Sequence, residues 1–286
     1  MASARDARRI SQWQRHKATF KEGHCWVVDL DLEKFFDRVS HYILMSQVAK
    51  RVSDRRVLKL IRSFLTAGVL ENGLVGATDE GTPQSGPLSP LLSNLMLDDL
   101  DQELERRGLH FVRYADDCNV YVRSERTGQR VMTGLKSFLT GRLQLKVNES
   151  KSAAARPHTR KFLGFTFSDR EQVKRCIAPK ALARFKERIR ELTQRTRGVS
   201  VAQLIGSLKR YLTGWRGYFG YCETPRVLQK LEELVTRGMN RNLAAQTAGS
   251  PHGAWRLSCS PALSKALSNR YFRSLGLPSV GPAPIN

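Results

Sequence analysis

Two hydrophobic periods alternate along the chain. A period of two marks strands. Trp26, Val27 and Val28 form an apolar run that leads into Asp29 and Asp31 on one face, with Leu30 and Leu32 turned the other way. Phe111–Arg123, FVRYADDCNVYVR, carries the β-branched and aromatic residues that strands favour, interrupted by Asp116 and Asp117. It reads as strand, tight turn, strand. A period near 3.6 marks helices. It runs through Ile43, Leu44, Val48, Val57, Leu58, Ile61 and Leu65, predicting helix across 40–70 with these residues in the core. It returns in LLSNLMLDDLDQELERRG, where Leu92, Leu95, Met96 and Leu100 are buried and Asp98, Asp99, Asp101 and Glu103 form a solvated face. There Ser89 is read as the cap and Pro90 as the first helical residue. A further helix of about fifteen residues carries Val131, Leu135, Phe138 and Leu139.

Near residue 172 the composition shifts. Three amphipathic helices follow. The first repeats Leu182, Phe185, Ile189 and Leu192, the second Leu204, Leu208, Leu212, Trp215 and Phe219, and the third spans Arg226–Ala245. Their outer faces are basic, with few acids interspersed. Between the elements, Gly68–Gly81 loses its period, GTPQSGPLSP is dense in Gly, Pro and Ser, and KFLGFTF alternates aromatics around Gly164. ARRISQWQRHKATF is a basic helix with Ile10, Trp13 and Phe20 on one side, read as a solvated face ahead of a nucleic-acid contact. The tail after Leu275 is expected to be loosely ordered.

Charge narrows the function. The 286 residues hold 48 Lys and Arg against 26 Asp and Glu, a net +22. That surplus suits a polyanionic partner, nucleic acid before membrane, although structural RNA binding explains it as well as enzymology does. The five cysteines, Cys25, Cys118, Cys176, Cys222 and Cys259, are scattered with no C-x-x-C pair. This argues against a zinc site and for free buried thiols in a reducing cytoplasm. No apolar run approaches a membrane span.

An Asp-Asp pair alone is ordinary turn chemistry. A second acid-bearing strand upstream changes that reading. A strand ending in a carboxylate beside a hairpin tipped with two more is an arrangement that holds hard divalent cations. Two such ions roughly 3.5–4 Å apart stabilise the attacking and leaving oxygens of phosphoryl transfer.

The ordered set DLEKFFD, GTPQSGPLSPLLSN, YADD and KFLGF resembles the palm motifs of group II intron-encoded reverse transcriptases. GWRGYFG and WRLSCSPALSKALSNRYFRSLGLPSV resemble the thumb and maturase region of the compact bacterial members. The resemblance runs from about residue 25 to about residue 280. It implies an α+β fold: a polymerase palm with an antiparallel sheet packed on helices over 1–172, then a helical thumb/maturase domain over 173–286. It implies RNA-directed DNA polymerase activity with an intron RNA binding role, two Mg2+ ions, RNA template and intron RNA, DNA primer or target and dNTP as partners, and a cytoplasmic setting. Asp31, Asp116 and Asp117 would be catalytic, and with Leu32 they make up the metal set. By residue type alone Asp29 is not separable from Asp31, and the motif selects Asp31. Phe36, five residues on, matches a steric gate under the incoming sugar; without the resemblance it reads as a core aromatic. Gly81, Pro83 and Gln84 match the nucleotide-side loop. Lys151 matches a lysine that protonates leaving pyrophosphate, or is a plain surface lysine. Lys161 and Gly164 match the hairpin that grips the primer end. Arg184, Arg188, Lys209 and Arg216 stand for the basic thumb faces that track a phosphate backbone.

The pattern departs from the family at the front, where the motifs of the fingers region find no match before Asp31. Three readings follow: a minimal enzyme, a truncated copy acting only as an RNA-binding splicing cofactor, or a protein completed by a partner or a homodimer.

Overall fold

β1 (Trp26–Leu30), β4 (His110–Tyr114), β5 (Asp117–Val122) and β6 (Ala153–Ala155) form an antiparallel sheet in the order β4-β5-β1-β6. The computed structural model describes residues 19–20, 22–67, 69–71, 74–76, 80–82, 86–168, 173–194, 199–247, 269–274 and 276–280. Pairing β1 with β5 sets Val28 opposite Val120 and Asp29 opposite Asn119, so alternation sorts the sheet into two faces. Val28, Leu30, Cys118, Val120 and Val122 all belong to the main hydrophobic core. The other face carries Asp29 and Asn119.

Helices cover the core face. α1 (His41–Ala49) and α2 (Arg55–Thr66) replace the single helical stretch expected over 40–70. The break comes where Asp54 caps α2, accepting from Arg56 N at 2.7 Å and Val57 N at 3.4 Å. Of the four α2 positions expected in the core, Val57, Leu58, Ile61 and Leu65, only Leu65 is buried, and Val57 is exposed. β2 (Val69–Glu71) pairs with β3 (Leu74–Gly76) as a separate ribbon. α3 (Ser89–Met96) starts at Ser89 itself, so Leu88 holds the capping position and supplies no side-chain cap. α4 (Asp98–Arg106) follows directly. Its acids are tethers rather than a merely solvated face. Asp99 accepts from Gln47 at 2.5 Å, Asp98 pairs with Arg51 at 2.5 Å, and Asp101 binds Arg113 through both oxygens at 2.7 and 2.5 Å. The α4 acids therefore fasten this helix to α1 and to β4.

α5 (Glu125–Arg142), capped by Ser124 on Thr127 N at 3.3 Å, lies over β1, β5 and β6. Gly128 sets how closely. A Cβ there would stand 2.9 Å from the Ala154 Cβ, with Val122 and Val28 methyls just beyond. Gly128→Val is expected to lower stability by about 1–3 kcal/mol through overpacking, read from denaturant midpoints at unchanged slope.

The chain divides into two units, Met1–Phe162 and Leu163–Asn286. This boundary precedes the compositional break near 172, because the hairpin of β7 (Phe165–Phe167) and β8 (Arg175–Ile177) belongs with the helices. Tyr218 donates to the Leu163 carbonyl at 2.9 Å, and Arg175 N–H donates to Glu223 at 2.8 Å. In the second unit, α6 (Pro179–Leu192), α7 (Val201–Phe219) and α8 (Pro225–Thr247) bury Phe185, Ile189, Leu204, Leu208, Leu212, Leu228, Leu231 and Val235. A short α9 (Asn269–Ser274) packs on α8. Beyond it Leu277 and Val280 are buried, so this part of the tail is packed rather than loose. The basic helix expected before residue 19 and the Trp255 region lie outside the described residues.

The thiols are less uniform than expected. Cys118 and Cys222 are buried, Cys176 is intermediate and Cys25 is exposed. Burial pushes the Cys118 thiol up to about 12. An alkylating reagent at neutral pH should label Cys25 in the native chain and leave Cys118 untouched until denaturant is added; peptide mass mapping reads the difference.

Candidate active site

The hairpin between β4 and β5 closes through two residues, Ala115 and Asp116, with Tyr114 paired to Asp117. Ala115 takes a φ of 54°, a left-handed conformation that costs a non-glycine residue about 1–2 kcal/mol. Arg113 braces it. The guanidinium that grips Asp101 also donates to the Ala115 carbonyl at 2.9 Å and to Asn94 at 3.1 Å. The strained turn is thus held from behind by a charged fork anchored on α4.

The β1–β5 register runs to Leu30 opposite Cys118. One step further along the same ladder brings Asp31 level with Asp117, on the face that already carries Asp29. Electrostatics agree with this proximity. Desolvation, then the charges of Asp116 and Asp31, hold Asp117 above the usual carboxylate range, with Lys161 opposing. Asp29 is pushed up to about 6, first by burial, with Asp117 and Asp31 adding and Arg160 and Lys161 opposing. The structure therefore sets Asp29, Asp31, Asp116 and Asp117 at one end of the sheet, where neighbouring carboxylates add to the desolvation of Asp29 and Asp117.

Asp29, set aside by the motif, belongs to this group. Its carboxylate lies 3.9 Å from Arg160, and the Asn119 amide satisfies its surroundings when its nitrogen faces Asp29 Oδ1 at 3.0 Å. The sequence signal was present in its same-face spacing with Asp31. What was lacking was the partner across the strand.

Asp31 is fixed through its backbone. Its N–H donates to Ser152 Oγ at 2.9 Å and its carbonyl accepts from Asn148 N at 2.8 Å. This leaves the carboxylate free to face outward. Lys151 reaches it, Nζ lying 3.7 Å from Oδ1, while remaining 65% exposed. Leu32 buries its side chain in the core and bridges Val147, so only its backbone carbonyl could serve a cation.

The fit to a hard divalent cation is chemical. Asp31 and Asp116 lie close enough to Asp117 for their charges to add to its desolvation, and carboxylate oxygen is the donor a hard divalent cation prefers.

Phe36 and Gly81 are also neighbours. Gly81 N–H donates to Val39 O at 2.8 Å and Thr82 N–H donates to Phe36 O at 2.6 Å. His41 Nε2 donates to the Gly81 carbonyl at 2.6 Å. Gly81 sits at φ 90°, and a Cβ on it would meet the Phe36 carbonyl oxygen at 3.0 Å, so glycine is required for this close approach. Phe36 itself is half-buried against the core, edge-on to Phe35. Pro83 and Gln84 lie outside the described residues.

In the second unit, Gly164 takes φ 75°, and a Cβ there would stand 3.3 Å from the Phe219 ring. Arg184 and Arg188 are exposed on α6, with Arg188 paired to Glu191 at 2.7 Å. On α7, Lys209 is exposed and Arg216 half-buried. Among the described residues no helix is long and apolar enough to cross a membrane.

Comparison with known proteins agrees with the motif order. Residues 2–167 match the family model described as reverse transcriptase (RNA-dependent DNA polymerase), and residues 182–259 match that of the group II intron maturase-specific domain. The chain is 32% identical over 176 residues to protein YkfC of Escherichia coli (strain K12), covering 50% of this chain and 45% of that protein. It is 38% identical over 91 residues to the group II intron-encoded protein LtrA of Lactococcus lactis subsp. cremoris, covering 32% of this chain and 15% of that one. The matches thus span less than half the length of these relatives. A solved structure of telomerase from Candida albicans with a TWJ fragment of telomeric RNA aligns at TM-score 0.48 and 15% identity, over 96% of this chain and 53% of that one.

Proposed function

The chain belongs to the reverse transcriptase (RNA-dependent DNA polymerase) family, carried on a group II intron type of architecture with its maturase-specific domain, and from this we propose that it extends a DNA primer on an RNA template. The observation that carries the reading is the β1–β5 register, which ends with Leu30 opposite Cys118 and so brings Asp31 level with Asp117, next to Asp116 in the β4–β5 turn.

In this reading Asp31, Asp116 and Asp117, with the Leu32 carbonyl, hold two Mg2+ ions. When bound, the ions would acidify the primer 3′-hydroxyl and neutralise charge on the leaving pyrophosphate. Asp29 lies beside these ligands as a further negative group and is kept from closing on them by Arg160. Lys151, already paired with Asp31, is placed to give a proton to the departing pyrophosphate. Phe36 and Gly81 form the side on which the deoxynucleotide rests, and the motif assigns Pro83 and Gln84 to the same role. The bulk of Phe36 then excludes a 2′-hydroxyl. Lys161 and Gly164 hold the primer end, and Arg184, Arg188, Lys209 and Arg216 contact the phosphate backbone through charge, which makes binding salt-dependent.

The net charge of +22 and the maturase-domain match favour a second reading, in which the chain binds intron RNA as a splicing cofactor without polymerising. Primer extension on a homopolymer RNA template with Mg2+ separates the two. Extension supports the enzyme. Salt-sensitive RNA binding with no extension overturns it in favour of the cofactor.

A further inference from the structure

At the end of the sheet away from the carboxylates, three side chains distant in sequence meet. Glu22 and His24 precede β1, and His110 is the first residue of β4. Each offers one ligand atom, and all of these atoms lie within 4.8 Å of one another. The two imidazole rings stand 4.6 Å apart at 53°, and His110 Nε2 is 3.7 Å from Glu22 Oε2. β1 and β4 do not pair; β5 lies between them. The cluster therefore crosses over the end of β5.

A built turn brings the residues together. Gly23 takes φ 84°, its N–H donates to Phe20 O at 3.1 Å, and Cys25 N–H donates to Gly23 O at 3.1 Å. Phe20 anchors the turn on the sheet, its ring edge-on to Tyr121 at 5.2 Å. The left-handed glycine folds the chain so that Glu22 and His24 face the same neighbour.

We propose that Glu22, His24 and His110 bind a zinc-class divalent cation. An ion pair between Glu22 and His110 accounts for two of the three groups. It leaves His24 Nδ1, which is buried and makes no hydrogen bond. A buried ring nitrogen without a partner is costly, and a cation bound at that nitrogen would satisfy it. Glu22 and His110 are half-exposed, so one side is open to water. Two His, one carboxylate and a water is a familiar tetrahedral zinc set, with donors at about 2.0–2.2 Å from the metal. The 4.8 Å envelope requires only side-chain closure to reach it.

The donor types distinguish this site from the carboxylate end. Imidazole nitrogen selects Zn2+ and similar first-row ions, whereas an all-oxygen set suits Mg2+. The strand rise of about 3.3 Å per residue separates His24 from Asp31 by about 23 Å. The ion would act as a clamp, tying the segment that enters β1 to β4, and not in the chemistry of the carboxylates.

The test uses the full chain, stripped with chelator and titrated with Zn2+ by calorimetry in excess Mg2+, which fills the carboxylate end. Co2+ in parallel reports tetrahedral ligation by its visible absorption. One Zn2+ per chain is expected, with a rise in melting temperature. Partners of metal ligands are themselves worth about 10–100-fold, so His110→Ala should weaken binding at least about tenfold and abolish the thermal rise. His110 is half-exposed, so this variant should fold; His24→Asn, checked by circular dichroism, is the second. Stoichiometry below one, or equal affinity in parent and His110→Ala, would mean an adventitious ion only and overturn the site.

Discussion

Asp117→Asn is expected to reduce primer extension by more than about 100-fold, a loss above about 2.7 kcal/mol of transition-state stabilisation. The change keeps shape and removes charge. Asp117 sits where the β4–β5 turn and the β1 ladder meet, coupled to Asp116 and Asp31. Under the proposed two-ion scheme, the remaining acids would hold a divalent cation less well without its carboxylate, and both ion positions would be lost together. Asp31→Asn and Asp116→Asn should behave alike, and the double and triple variants should lose little more, because the ligands act as one unit. RNA affinity should be unchanged or slightly higher, since negative charge is removed from a basic chain. Single-turnover extension beside filter binding reads both. A variant that extends as fast as the parent sinks the assignment of these acids.

Arg113→Leu is expected to destabilise the first unit by about 3–5 kcal/mol. Arg113 is 11% exposed and Asp101 26% exposed at the side chain, so the pair is largely withdrawn from water. Removing the guanidinium strands Asp101 and frees the Ala115 carbonyl, while the left-handed turn at Ala115 loses its brace. Arg113 touches no reacting atom in this scheme; it positions Asp116 and Asp117. The separating readout is Arg113→Leu/Asp101→Leu. It should recover much of the stability, because two apolar groups replace a pair instead of orphaning half of it. Extension should stay low in that double variant, since the turn is still unbraced. Recovery of extension together with stability would show that Arg113 serves the fold alone.

The clustered acids are legible because their signals are local. Asp116 and Asp117 interrupt a strand pattern at a turn, and Asp29 and Asp31 share a face by period two. The choice between Asp29 and Asp31 was not local. Both join the cluster, and what distinguishes them is the cross-strand company of Asn119 and Arg160 for one and of Lys151 for the other. The helical unit was readable for the same reason as the strands, since burial of Phe185, Ile189 and Leu192 follows the 3.6 period. On α2 the periodicity marks an apolar stripe without saying whether anything covers it, and Val57 and Leu60 stay exposed. The α4 acids were read as solvated because their partners, Gln47, Arg51 and Arg113, come from other elements.

By itself the amino-acid order determined most element types, the basic character and the position of acids at a strand end and a hairpin turn, each written in a spacing of a few residues or an ordered run of motifs. Only the folded chain decided which groups meet. The inclusion of Asp29, the brace of Arg113 on a strained turn, the docking of Gly81 on Phe36 and the meeting of Glu22 and His24 with His110 all depend on strand register and on helices closing over the sheet. Side-chain chemistry is carried by each residue alone, but a site is a distance between residues, and distances across a sheet are set by pairing that no short stretch encodes.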